Sequence, residues 1–180
     1  MHLDNIESIS VSASAERNSG TIRIGLISDT HIPSVSKILP PHVKEALKGS
    51  DLILHAGDIY LPKVLDDLES IAPVLAAHGN DDGDFPQDQR IKNNHIISIN
   101  GFSLGLTHRG YWPRPLHNSR DEIITREFGR LVDIVVYGDS HVAMVESYNN
   151  TLLVNPGSPT SPGHVLKLGT VGLLEITGNM

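Results

Sequence analysis

Thr21-Ile22-Arg23-Ile24-Gly25-Leu26-Ile27-Ser28-Asp29-Thr30-His31 is a β-branched, apolar run that breaks off into Asp-x-His. Its first eight residues, Thr21–Ser28, predict a short buried strand. The same form recurs downstream. Asp51–His55 ends in Ala56-Gly57-Asp58, and Pro73–Ala77 ends in His78-Gly79-Asn80-Asp81-Asp82. Between these runs lie two amphipathic stretches, His42–Lys48 behind Pro40-Pro41 and a second near Pro62–Ile71. Proline suits a first helical turn. Strand, helix, strand, helix, strand at this spacing predicts parallel βαβ units.

The second half has a different pattern. His95–Asn100 and Phe102–Thr107 flank an Asn-Gly pair that predicts a hairpin. Arg120–Leu131 reads as a helix, Ile134–Tyr137 as another buried strand, and Ala143–Tyr148 with Thr151–Val154 as a second hairpin. Val171–Thr177 reads as the last strand. These counts fit an α/β (α+β) domain of two packed mixed sheets with helices outside, spanning 21–180. Residues 1–20, rich in Ser and Asn, read as a flexible extension.

The chain has 180 residues, long enough to bury a sizeable core. With 14 Lys and Arg against 21 Asp and Glu, its formal charge of −7 argues against an extended nucleic-acid surface. There is no cysteine, so disulfides and thiolate ligands are excluded and any metal must sit on oxygen and imidazole. No apolar stretch approaches the length of a membrane helix, and the first residues do not read as a secretory signal. The expected compartment is the cytoplasm. A homo-oligomer is compatible with the sequence.

Nearly every buried run ends in a metal-competent donor. Asp29 and His31 follow the first, Asp58 the second, and Asn80 the third. His108 follows the hairpin strand, in Thr107-His108-Arg109-Gly110, and Asp139 and His141 follow the fourth buried run, in Gly138-Asp139-Ser140-His141. Residues i and i+2 of an extended segment share a side, so each Asp-x-His can present two ligands to one pocket. Glycines 57, 79 and 138 are expected to let the chain turn there. Sheets with helical crossovers gather ligands at the carboxyl ends of their strands. Any one of these motifs is common; five in succession at strand ends predict a metal cage.

In that order the motifs resemble the calcineurin-like metallophosphoesterases, and within them the small YfcE-like phosphodiesterase branch. The resemblance runs from about Ile22 to the C-terminus, and Asn155-Pro156-Gly157-Ser158-Pro159 adds to it. It implies a four-layer αββα sandwich of two mixed sheets with a site for two divalent ions, Mn²⁺ expected and Mg²⁺, Ni²⁺, Zn²⁺ or Fe compatible. The first ion would take Asp29, His31 and His141, and the second Asn80, His108 and Asp139, with Asp58 bridging. A hydroxide held between the ions would attack phosphorus in line. The substrate would be a small phosphodiester or other phosphoester.

Two positions depart from the superfamily pattern. Asp139 stands where His is usual. A third carboxylate would harden the second site toward Mn²⁺ or Mg²⁺, and its charge is expected to favour singly charged diesters over doubly charged monoesters. Asp81 stands where larger relatives carry a His read as general acid. An ordinary aspartate donates protons poorly at neutral pH, so either Asp81 is unusual or the enzyme relies on good leaving groups, the second being preferred.

The catalytic candidates are thus Asp81, Asn80 and His108, and the substrate-binding candidates Asn80, Trp112 and Ser158. Trp112, with Tyr111, can stack on a base or aryl group or simply anchor its loop. His164 is a further candidate for a phosphate oxygen. Asp81 and Asp82 also read as turn residues. His55 is expected to support Asp58 or its loop, and His78 to pack; His2, His42, His95 and His117 read as surface residues. The same fold also occurs as a protein-interaction scaffold with a degraded metal site, as in the small retromer subunit, and this is the alternative function. Competent donors at every ligand position weigh against it.

Overall fold

The computed structural model describes residues 6–7, 20–85, 88–109, 119–163 and 169–178. The first elements are β1 (Ile6–Glu7), β2 (Thr21–Ile27), α1 (Pro41–Leu47), β3 (Leu52–His55), α2 (Lys63–Glu69), β4 (Val74–Ala77) and β5 (Ile91–Lys92). There follow β6 (Asn94–Ile99), β7 (Phe102–Thr107), α3 (Arg120–Phe128), β8 (Ile134–Val136), β9 (Met144–Tyr148), β10 (Thr151–Asn155) and β11 (Gly172–Thr177).

One sheet has the order β11-β2-β3-β4-β5 and the other β1-β6-β7-β8-β10-β9. The βαβ units behave as the spacing predicts, since β2 through β5 are parallel, with β11 antiparallel at the edge. Both sheets are therefore mixed. Alternation along β2 shows how the layers form. Ile22, Ile24 and Leu26 face Ile97, Ile99, Leu104 and Leu106 of the other sheet in the central core. On the opposite face, Ile27 and Ile53 pack under Val43 and Leu47 of α1 and Leu65 and Leu68 of α2. Ile124 and Phe128 of α3 cover Val135 and Leu153 on the outside of the second sheet. Helix, sheet, sheet, helix gives the four-layer αββα sandwich.

Two short strands escape the sequence patterns. β5 is two half-buried residues, too short for periodicity to register. β1 lies inside the segment read as a flexible extension and runs parallel to β6. The helix expected to reach Leu131 stops at Phe128, because Gly129 adopts φ +72, the left-handed conformation that ends helices. A capping box between Ser119 and Glu122 starts that helix. His95, read as a surface residue, is buried, and its ring N–H donates to Ala76 O (2.9 Å), linking β6 to β4 of the other sheet. No helix among the described residues is long and apolar enough to cross a membrane.

Candidate metal centre

The loops after β2, β3, β4, β7 and β8 meet at one end of the sandwich. Backbone hydrogen bonds lace them together: Asp29 N donates to Gly57 O (2.9 Å), His31 N to Asp58 O (3.0 Å), and Gly138 N to His108 O (3.1 Å). One ligand atom each from Asp29, His31, Asp58 and His141 lies within 4.8 Å of the others. The Nε2 atoms of His31 and His141 stand 3.1 Å apart.

Convergence does not come from the strand pleat, as i, i+2 spacing suggested. Asp29 (φ 53), His31 (φ 45), Asp58 (φ 57), Tyr60 (φ 71), Asp139 (φ 74) and His141 (φ 62) are all left-handed. Left-handed backbone is sparse for residues other than glycine and gathers at functional loops. Only Gly57 of the three strand-end glycines turns through positive φ, at +89. Gly79 and Gly138 are needed for space. A Cβ at 79 would overlap the Asp58 carboxylate and amide, and one at 138 would overlap Ser28 Oγ.

Asp58 sits between two imidazole groups. Its Oδ2 is 3.6 Å from His31 Nε2, and its Oδ1 is 3.4 Å from His108 Nε2. His108 Nδ1–H donates to Ala56 O (2.7 Å), and His141 Nδ1–H to Ser161 O (2.7 Å). Each ring thereby turns its Nε2 lone pair inward, the usual device for fixing a histidine ligand. His108 Nε2 also meets Asn80 Oδ1 at 2.9 Å. Asp81 orients that amide, its Oδ1 accepting from Asn80 Nδ2 (2.9 Å) and its Oδ2 from Tyr60 OH (3.3 Å).

The electrostatics call for cations. Asp29 and Asp58 are buried, and among the described residues their ion-pair partners are histidines, with no Lys or Arg. Burial, partly offset by the Ser28 hydroxyl and nearby imidazoles, pushes Asp29 up to about 6. Burial likewise raises Asp58 and lowers His31. Carboxylates, imidazole lone pairs and an amide oxygen facing one another without a counter-charge fit divalent-cation binding. Asp29, His31, His141 and Asp58 form the compact group, and His108 Nε2 meets Asp58 Oδ1 and Asn80 Oδ1 beside it.

Several expected site residues lie elsewhere. The Asp139 side chain is exposed and outside the compact group; its backbone N–H reaches the site instead, donating to Asp29 Oδ1 (3.2 Å). The charge balance expected from a third carboxylate therefore loses its footing. Ser158, a candidate for substrate contact, is fully buried, and its hydroxyl donates to Asp29 O (2.7 Å) while accepting from Ser161 N (2.8 Å). Asn155 pins the next loop, donating to Gly138 O (2.8 Å) and Ser140 Oγ (3.0 Å). The Asn-Pro-Gly-Ser-Pro stretch is thus a brace for the ligand loops. Trp112, Tyr111, His164, His2 and His117 lie outside the described residues.

His55 is a buried support, its Nε2 3.1 Å from Thr30 Oγ1, and burial drives it down to about 3, which keeps it neutral. His78 meets the Gly83 carbonyl. Asp82, read from the sequence only as a turn residue, has a larger role. Its carboxylate accepts from the amides of Asp58 (3.1 Å), Ile59 (2.6 Å), Tyr60 (2.8 Å) and Gly79 (2.8 Å), clamping the Asp58 loop to the Asn80 loop. Tyr60 packs edge-on against His31, ring centroids 4.8 Å apart.

Known proteins resemble this chain in sequence and fold. The family model for the calcineurin-like phosphoesterase superfamily domain matches residues 22–179. A probable metallophosphoesterase of Methanothermobacter thermautotrophicus is 35% identical over 139 residues, covering 77% of this chain and 78% of its own. A phosphodiesterase of Methanocaldococcus jannaschii is 26% identical over 167 residues, covering 86% and 93%. Among solved structures, vacuolar protein sorting 29 of Cryptosporidium parvum superposes with a TM-score of 0.71 at 25% identity, covering 89% and 88%. By sequence and by site alike, the chain belongs to the calcineurin-like phosphoesterase superfamily and is a metal-dependent phosphoesterase.

Proposed function

We propose that this phosphoesterase is a phosphodiesterase of small substrates, working with two divalent ions, Mn²⁺ being the expected metal. Asp29, His31 and His141 would hold one ion, Asn80 and His108 the other, and Asp58 both. One observation carries this: a buried Asp58 whose two oxygens face different imidazoles, with no Lys or Arg paired to it among the described residues. Bound divalent ions supply the positive charge that makes water nucleophilic near neutral pH and steadies charge on the phosphoryl oxygens.

The chain's own residues provide the frame. The Ala56 and Ser161 carbonyls fix two imidazoles, and Asp81 fixes the Asn80 amide so that a neutral oxygen faces inward. With both its oxygens already accepting, Asp81 is proposed as a positioning residue, and the leaving group departs without its proton. In the overall reaction water bonds to phosphorus, one P–O ester bond breaks, and the products are a monoester and an alcohol. The preference for diesters rests on the M. jannaschii relative, since the Asp139 carboxylate stands outside the cluster. The domain is proposed to span 21–180, and without cysteine it gains nothing from an oxidising compartment, which fits the cytoplasm.

Likeness to vacuolar protein sorting 29 supports a second reading, a protein-interaction scaffold. The two separate in one experiment. The protein is stripped of metal, Mn²⁺ is restored, and hydrolysis of an aryl phosphodiester is followed beside the matching monoester. Metal-dependent turnover that Asp58→Asn abolishes is the expected result. No turnover with Mn²⁺, Mg²⁺, Ni²⁺ or Zn²⁺ would favour the scaffold.

A further inference from the structure

A cleft of about 480 Å³ opens directly from the second half of the candidate metal centre. Asn80 and His108 of the centre line it, together with His78, Arg109, Arg126 and Glu127. That volume lies within the range of small-molecule sites and exceeds what one phosphoryl group needs.

Its charge is unusual for this chain, which carries a net −7. Two arginines are neutralised elsewhere, Arg90 by Asp66, Glu69 and Asp88, and Arg120 by Glu146. Arg109 and Arg126 have no carboxylate within ion-pair distance among the described residues, yet both line this one cleft. Glu127 also lines the cleft, its Oε1 accepting from Thr107 Oγ1 (3.3 Å), so two guanidinium groups there stand against one carboxylate. Two guanidinium groups with no carboxylate partner among the described residues, beside the metal centre, suit an anion, and arginine's planar fork matches phosphate.

We infer that the preferred substrate is a phosphodiester bearing a second phosphate group, which Arg109 and Arg126 receive in this cleft while the scissile phosphate sits at Asp58. This rests on the phosphodiesterase reading above. It makes the two arginines specificity determinants. Neither is proposed to touch the reacting phosphorus.

Two readouts test it. The first is the ratio of kcat/KM for two aryl phosphodiesters with the same leaving group, the other substituent ending in phosphate or in hydroxyl. The second is the affinity of Mn²⁺-loaded protein for 1,4-butanediol bisphosphate against butyl phosphate, by calorimetry. The expected preference is about tenfold or more for the extra phosphate in both, falling about tenfold in Arg126→Gln or Arg109→Gln. Arg130→Gln, which removes an exposed cation elsewhere, should leave both ratios unchanged. Hydrolysis of both diesters with no preference in either readout would overturn the inference and leave the phosphodiesterase standing. Bisphosphate preference that the arginine variants lose, without any hydrolysis, would keep the cleft as an anion site and sink the phosphodiesterase reading. Neither hydrolysis nor preference would overturn both.

Discussion

Replacing Asp82 with alanine should loosen two ligand loops at once. Its carboxylate accepts four backbone N–H groups, from Asp58, Ile59, Tyr60 and Gly79. At about 1.5 kcal/mol for each hydrogen bond to a charged group, the ceiling is about 6 kcal/mol. The residue is only half-buried, so water recovers roughly half, leaving about 3 kcal/mol. For a chain of this size that is a fall in Tm of about 6–12 °C. Urea denaturation of the metal-free protein measures it, with an unchanged m value showing that unfolding remains of the same kind. Asp82→Asn should fall between, because one oxygen is kept while an amide N–H₂ opposes two backbone donors. Since the clamp also orients Asp58 and Asn80, Mn²⁺ affinity should drop about tenfold or more. Asp82→Ala within about 0.5 kcal/mol of the wild type would refute the clamp.

Gly138→Ala places a Cβ 2.7 Å from Ala56 O and 2.9 Å from Asp29 Oδ2, and denaturation should show a loss of about 1–3 kcal/mol together with weakened metal binding. Ser158→Ala should cost about 1–3 kcal/mol in stability without raising KM, because its hydroxyl braces Asp29 and faces no substrate. Asp139→Asn should change Mn²⁺ affinity by less than about threefold, as calorimetry would show. His55 takes up a proton on unfolding below its ordinary pKa of 6.5, because burial holds it at about 3 in the folded chain. Its contribution is therefore intact above pH 6.5 and lost as pH falls, by about 2 kcal/mol between pH 7 and 5. Denaturation of His55→Asn over that range should lack this component.

The layers were legible because apolar runs with the right period leave few alternatives. Ile22, Ile24 and Leu26 alternate with residues for the helix-facing side, and Asn100-Gly101 dictates its hairpin. Donor identity at strand ends was legible for the same reason: a buried run followed at once by Asp, His or Asn leaves the donor at the sheet's edge. Conformation was not. Side chains of Asp29 and His31 converge through left-handed backbone, which follows from hydrogen bonds between loops distant in sequence. Asp81 and Asp82 are neighbours of the same type, and only the fold decides which one holds amides and which one orients Asn80. His95 shares the inward face of β6 with Ile97 and Ile99, so the alternation of that strand was the signal that it is buried. Asp139 reads as a ligand from its place in the Gly-Asp-Ser-His run, and in the fold it is exposed and outside the compact group.

The most direct test is to titrate metal-free protein with Mn²⁺, measuring bound ions per chain and turnover of an aryl phosphodiester in the same samples. Two ions should bind, turnover should rise with the second, and Asp58→Asn should lose both the second ion and the activity. Turnover in metal-free protein, or two ions bound at the Asp58 site with no hydrolysis of any phosphoester, would contradict a metal-dependent phosphoesterase built around Asp58.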